Sequence, residues 1–306
     1  LWTPSESDGP STNELAIVVT DDGLPPLSDS RPFQIIVLAG PVNEPPVLTL
    51  PAGDQPLAYV ENDGPRILDL DARVTDKDSP DFDGGSLRVE FASGGAAEDR
   101  LAIRDEGAGA TNITLVAEQR VQYGGVEIGT FEGGTNGTAP LRVTFNGSAT
   151  VAAVERLVRN VTYENVSESP SSAPRSLRLS LEDGDGGTSD PVVRSIEVTP
   201  VNDPPVALPD SAATSLNQPV SIDVTQLTVN DSDVDSTNLT LDLPTTTSAQ
   251  GGTVALTDGR VVYQPPDAFL GEDVFEYRLQ DDQGGWATGQ VTVLVRPTGG
   301  QLNIAS

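Results

Sequence analysis

The sequence predicts an all-β chain of tandem β-sandwich modules joined end to end into an elongated rod. Three observations carry that expectation. Apolar residues alternate in many short runs, the period of a half-buried strand. Glycine pairs such as Gly94-Gly95, Gly124-Gly125 and Gly133-Gly134 punctuate those runs as turns. A seven-residue stretch, Pro41-Val42-Asn43-Glu44-Pro45-Pro46-Val47, recurs as Pro200-Val201-Asn202-Asp203-Pro204-Pro205-Val206 with one conservative change. Each copy follows an alternating run: Phe33, Ile35 and Val37 before the first, Val192, Ile196 and Val198 before the second. The paired prolines hold the backbone extended and withhold two donors, so the strand cannot simply continue, and the stretch reads as a stiff connector. The amide and carboxylate in front of the prolines are hard oxygen ligands of the kind calcium takes.

Residues 1–42 read as the end of a module. Leu15, Ile17 and Val19 alternate, Asp21-Asp22-Gly23 turns, and Phe33, Ile35 and Val37 alternate again. A lone hairpin is marginal in water, so this piece is expected to need further strands, from a longer parent chain or from a neighbour. Residues 43–205 are the long module, with strands expected over 66–70, 87–92, 113–117, 126–131, 141–145, 176–181 and 192–198. One segment breaks the pattern. Val151, Val154, Leu157 and Val158 recur at helical spacing behind Thr150, which suits an N-cap, so one short helix is expected to plug the core of this middle module. Residues 206–297 are shorter, with strands over 220–224, 239–243, 253–256, 260–264, 273–280 and 290–295, about the strand count of an immunoglobulin-like sandwich. Residues 298–306, opening with Thr298-Gly299-Gly300, read as a tail or linker stub.

Composition narrows the chemistry. With 46 acidic against 17 basic residues in 306, the net charge of −29 repels nucleic acid and anionic membrane, and it works against a compact fold unless cations neutralise it. There is no cysteine, histidine or methionine, which removes thiolate and serine-histidine nucleophiles and most transition-metal sites. No apolar run approaches the roughly 20 residues of a membrane helix, so any export signal or anchor is expected outside this stretch. Paired carboxylates could suggest a glycosidase, but among so many acids some pair always meets the spacing, so an enzyme is not expected.

The acids cluster where modules meet. Asp76-Lys77-Asp78 and Asp81-Phe82-Asp83 open the middle module, and Asp231-Ser232-Asp233-Val234-Asp235 opens the next. Alternating carboxylates in a loop repel unless a cation sits among them, and calcium, with about six to eight oxygen ligands, suits them. Position six of an EF-hand reading of 231–242 is Ser236 rather than glycine, and a strand-like run replaces the exiting helix, so that motif is rejected. A further acidic turn precedes each last strand: Asp21-Asp22-Gly23, then Asp183-Gly184-Asp185-Gly186-Gly187, then Asp281-Asp282-Gln283-Gly284-Gly285. Singly these are ordinary turn chemistry, but recurrence at equivalent places marks a repeat.

Together the asparagine-acid-proline joint, the Asp-x-Asp loop and the acid-glycine turn resemble cadherin-like domains, and particularly the tandem modules of large bacterial surface adhesins. That resemblance spans nearly the whole chain. It implies several calcium ions, mainly at the module joints. Carried over by position, the joint between the second and third modules would use Glu61, Glu164, Asn202, Asp203, Asp231, Asp233 and Asp281 or Asp282. The joint between the first and second would use Glu6, Asn43, Glu44, Asp76, Asp78 and Asp183, with Asp22 facing a preceding module. Asp81, Asp83 and Asp235 would complete sites inside a module's own loop. The family's linker aspartate is replaced by Pro41 and Pro200, and Asn217 stands where its first-strand glutamate is expected, which implies fewer ions per joint. The function implied is a calcium-rigidified extender of an extracellular or cell-surface adhesin, without catalysis. Its partners would be its own neighbouring modules and, beyond them, other copies or cell-surface protein or glycan. The alternative is a carbohydrate- or protein-binding module, for which Trp286 is the candidate contact.

Overall fold

Strands with an apolar face must bury it, and in this chain two sandwiches do so while one hairpin does not. The computed structural model describes residues 8–38, 43–52, 55–117 and 119–298; Glu6, Pro41, Val42 and the tail from residue 299 lie outside the described residues. The hairpin is β1 (Ser11–Thr20) and β2 (Ser28–Val37), antiparallel with Leu15 opposite Phe33. The apolar side chains predicted to face a core are on one side of it and largely exposed, Ile17 at 60% and Val19 at 66%.

The middle sandwich begins with β3 (Val47–Thr49), β4 (Leu57–Val60), β5 (Arg66–Ile67), β6 (Arg73–Thr75), β7 (Ser86–Ser93) and β8 (Asp99–Ile103). A meander follows: β9 (Ile113–Val116), β10 (Arg120–Tyr123), β11 (Val126–Glu132) and β12 (Leu141–Phe145). Helix α1 (Val151–Val158) then leads into β13 (Val161–Asn165), β14 (Arg175–Glu182) and β15 (Val192–Thr199). The C-terminal sandwich comprises β16 (Asp210–Ser215), β17 (Val220–Asp223), the one-turn helix α2 (Val224–Leu227), β18 (Thr240–Asp242), β19 (Thr253–Thr257), β20 (Arg260–Gln264), β21 (Gly271–Gln280) and β22 (Trp286–Arg296).

The two sandwiches share one topology. In the C-terminal one, a sheet ordered β16-β22-β21-β18 faces a sheet ordered β17-β20-β19. In the middle one, β4-β15-β14-β7 and β5-β13-β8 repeat that plan, and β12-β11-β10-β9 extend the first sheet beyond β7. In both, an early edge strand pairs parallel to the last strand, β4 with β15 and β16 with β22. Two separate cores result. One runs from Leu48 to Val198 and the other from Ile222 to Val295, with Phe275, Tyr277 and Leu279 inside the second as their alternation predicts. Helix α1 forms where expected. Thr150 caps it by accepting the Ala153 N–H, and Ala153, Val154, Leu157 and Val158 are buried in the middle core. The fully buried carboxylates of Asp99 and Asp273 are satisfied. Asp99 accepts from Tyr163 and Asn165 at 2.7 Å each and from Arg175 at 3.4 Å, while Asp273 accepts from Ser248 at 2.6 Å and Tyr263 at 2.7 Å.

Candidate metal centres at the two joints

The two proline joints enter their sandwiches in one register, and that register selects the acids. After the first joint, Val47 of β3 pairs with Thr75 of β6. After the second, Val206 forms an isolated bridge with Ser232. Counting from those pairs, Asp76 corresponds to Asp233, Asp78 to Asp235 and Ser79 to Ser236. Their hydrogen bonds agree: Asp76 Oδ1 accepts from the N–H groups of Asp78 and Ser79, and Asp233 Oδ1 from those of Asp235 and Ser236. In both copies the other oxygen, Oδ2, is buried with no partner. The acid of the joint is tied to the second aspartate each time, Glu44 N to Asp78 at 3.1 Å and Asp203 N to Asp235 at 2.8 Å.

The last turns lock onto the joints equally. Asn43 Nδ2 donates to Asp183 Oδ2 at 2.9 Å, and Asn202 Nδ2 to Asp281 Oδ2 at 2.8 Å. Each aspartate uses Oδ1 to gather N–H groups of its own glycine turn, from Asp185 and Gly187 in one and from Gln283, Gly284 and Gly285 in the other. Glycine is required where the joint crosses the turn. A Cβ on Gly187 would lie 2.8 Å from Asn43 Nδ2, and one on Gly285 would lie 2.8 Å from Asn202 Nδ2. With its amide nitrogen so engaged, Asn202 presents Oδ1 buried and unpartnered.

At the second joint the upstream sandwich adds carboxylates. Glu61, just past β4 and 6% exposed, accepts the Val201 N–H through Oε2 at 2.7 Å, and its Oε1 is buried without a partner. One oxygen each of Glu61, Glu168 and Asp203 lie within 4.8 Å of one another. Burial pushes the Glu61 carboxyl up, the Val201 N–H opposes that, and the charges of Asp235, Asp203 and Glu168 add to the rise. Asp203 is raised too, by burial and then by Asp235, Glu168 and Asp233. Asn62, at φ 63°, steadies Glu168 by donating from Nδ2 to Oε2 at 3.0 Å. A buried oxygen acceptor left unmade costs about 1–3 kcal/mol. Here three of them, on Glu61, Asn202 and Asp233, belong to one joint where carboxylates also repel. An all-oxygen set with spare acceptors and excess negative charge fits a hard divalent cation such as calcium.

The other expected ligands are placed differently. Asp231, two residues too early in the register, accepts from Leu208 N at 2.8 Å and Tyr277 OH at 2.9 Å. Glu164 lies on β13, where its charge acts on Tyr59; the carboxylate that joins the cluster is Glu168, four residues on. Asp22, Asp83 and Asp282 are exposed. In the first turn it is Asp21 that gathers N–H groups, from Gly23 and Leu27. The equivalent of Glu61 in the C-terminal sandwich is Leu216: Glu61 N donates to Thr199 O and Leu216 N to Arg296 O, each at the end of the last strand. Asn217, at φ 61°, therefore matches Asn62 rather than the glutamate. Glu168 lies in no motif of the sequence, whereas Asn62 directly follows Glu61. Trp286 is 56% exposed at the start of β22.

The two sandwiches are copies of one plan of two packed β-sheets. Residues 202–294 match the model of the family described as Bacterial Ig domain. Among solved structures, the chain is similar to protocadherin gamma B2 extracellular cadherin domains 3–6, at 14% identity and TM-score 0.30, covering 96% of this chain and 61% of that one. It is also similar to human mucin-like protocadherin EC1-2, at 12% identity and TM-score 0.34, covering 83% of this chain and 98% of that one. A third is Drosophila N-cadherin EC1-3, at 12% identity and TM-score 0.23, covering 95% and 78%. The chain thus spans about three fifths of the first of these structures. No curated protein matches it. Among the described residues no helix is long and apolar enough to cross a membrane.

Proposed function

We propose that the chain is a calcium-rigidified extender segment of a bacterial cell-surface or secreted adhesin, with a structural role and no catalysis. Its modules would be the end of one repeat at 1–42, a long repeat at 43–205, a short repeat at 206–297 and a linker stub at 298–306. The observation that carries the reading is the group at the second joint. Glu61, Glu168 and Asp203 bring an oxygen each to one spot, and buried acceptors of Glu61, Asn202 and Asp233 have no donor. When bound, calcium would supply the positive charge these oxygens lack, and the residues that would hold it come from both sandwiches and from the linker. Asn43, Glu44, Asp76, Asp78 and Asp183 would form the counterpart at the first joint. Without the cation, carboxylates repel across the joint; with it, they pull the modules into line. Extracellular modules of this ligand type bind calcium with dissociation constants of about 0.1–1 mM, which would tie stiffness to the outside of a cell.

Small-angle scattering with calcium and with chelator tests this. The expected result is a larger maximum dimension and a narrower distance distribution with calcium. An unchanged maximum dimension would count against the reading.

A further inference from the structure

The Asp-x-Asp loops of the two joints differ in charge at one place. Between Asp76 and Asp78 stands Lys77, and between Asp233 and Asp235 stands Val234. Lys77 is the only lysine in the chain, and its ammonium pairs with the Glu44 carboxylate. Glu44 corresponds to Asp203 through the shared backbone bonds to Asp78 and Asp235. So the acid that joins Glu61 and Glu168 at the second joint is, at the first, already paired with a cation carried by the chain.

We propose that Lys77 is a tethered counter-charge that makes the first joint the weaker calcium site, so that it loosens first as calcium falls. This rests on the calcium reading of the joints. Affinity in oxygen-ligand loops follows the number of ligand charges, and Lys77 lowers that number twice: it occupies Glu44 and it repels an arriving dication. The Lys77 side chain is 77% exposed, so its pairing contributes little to folding, and its effect on an ion is screened by salt. The first joint thus carries a cation of its own beside the loop acids. The second, with Val234 in the loop, has no such internal cation.

The test is calorimetric titration of the full chain with calcium chloride at low ionic strength. In a chain carrying Glu61→Gln to disable the second joint, adding Lys77→Val is expected to tighten the remaining binding about tenfold, with the gain shrinking as salt rises. The melting temperature in chelator should stay unchanged. The reciprocal Val234→Lys, in an otherwise unaltered chain, should weaken the tighter class of sites by a similar factor. Binding left unchanged or weakened by Lys77→Val overturns the proposal while the joints still bind calcium. A parent chain that takes up no calcium overturns the joint reading and this proposal with it.

Discussion

Glu61 and Val201 are joined by a 2.7 Å hydrogen bond from the Val201 N–H to one carboxylate oxygen, while the other oxygen of Glu61 is buried with no donor. The bond ties the end of β4 to the linker that leaves the last strand of the middle sandwich. The carboxylate thus serves the linker through one oxygen, and the residue also brings an oxygen within 4.8 Å of Glu168 and Asp203. That division determines how the joint should respond to change.

Glu61→Gln keeps the acceptor for Val201 but removes a charge that is buried among other acids. In chelator the variant is expected to be at least as stable as the parent, because desolvation and repulsion are relieved. In calcium it should be less stable, with affinity at this joint down at least tenfold. Melting curves in chelator and in calcium check the opposite signs.

The pH dependence without metal follows from the raised carboxyls of Glu61 and Asp203. A carboxyl raised in the folded state binds its proton more tightly there than in the unfolded chain. Its contribution is therefore favourable in acid and is lost as pH climbs from the ordinary value, 4.5 for Glu61 and 3.8 for Asp203, through the raised one. In chelator, Glu61→Gln should flatten this fall in denaturant-unfolding free energy above pH 4.5. In calcium, which favours the charged form, the fall should vanish.

Asn62 separates backbone from side-chain roles. Its φ of 63° suits asparagine and glycine, and its amide holds Glu168. Asn217 has the same backbone, but its side chain accepts the Ala268 N–H instead, so the donation to a carboxylate is particular to the second joint. Asn62→Gly should keep the turn and lower calcium affinity about three- to tenfold, whereas Asn62→Ala should add a folding cost of about 1–2 kcal/mol. Calorimetric titration and thermal melts distinguish the two effects. Full affinity in Asn62→Gly would show that Glu168 needs no support.

Gly285→Ala places a methyl group 2.4 Å from Asp281 Oδ2 and 2.8 Å from Asn202 Nδ2. The joint must shift to admit it, breaking the Asn202 to Asp281 bond. The expected outcome is a loss of about 1–3 kcal/mol in the C-terminal sandwich and weaker calcium binding at the second joint, read by melting and titration. Gly187→Ala should do the same at the first joint alone.

Much of this was legible from residues in order. Period-two alternation with glycine turns is enough for an all-β sandwich, and Thr150 followed by Val151, Val154, Leu157 and Val158 is enough for the one helix of more than a turn. Short strands were harder. Val47–Thr49 and Arg73–Thr75 are too brief for a period to show, and pairing rather than propensity makes them strands.

The repeated asparagine-acid-proline stretch and the acidic turns locate the joints without coordinates, because chain stiffness and ligand type are local properties of residues. Which acids meet there is not local. Asp231-Ser232-Asp233-Val234-Asp235 contains two overlapping Asp-x-Asp pairs, and only the Val206 to Ser232 bridge chooses the second. Glu168 reaches Glu61 and Asp203 because a loop after β13 folds back beside the end of β4, a contact made by sheet closure between residues more than a hundred positions apart. Charge and composition thus announce an excess of acid at the joints, while strand register and sheet closure decide which oxygens present themselves.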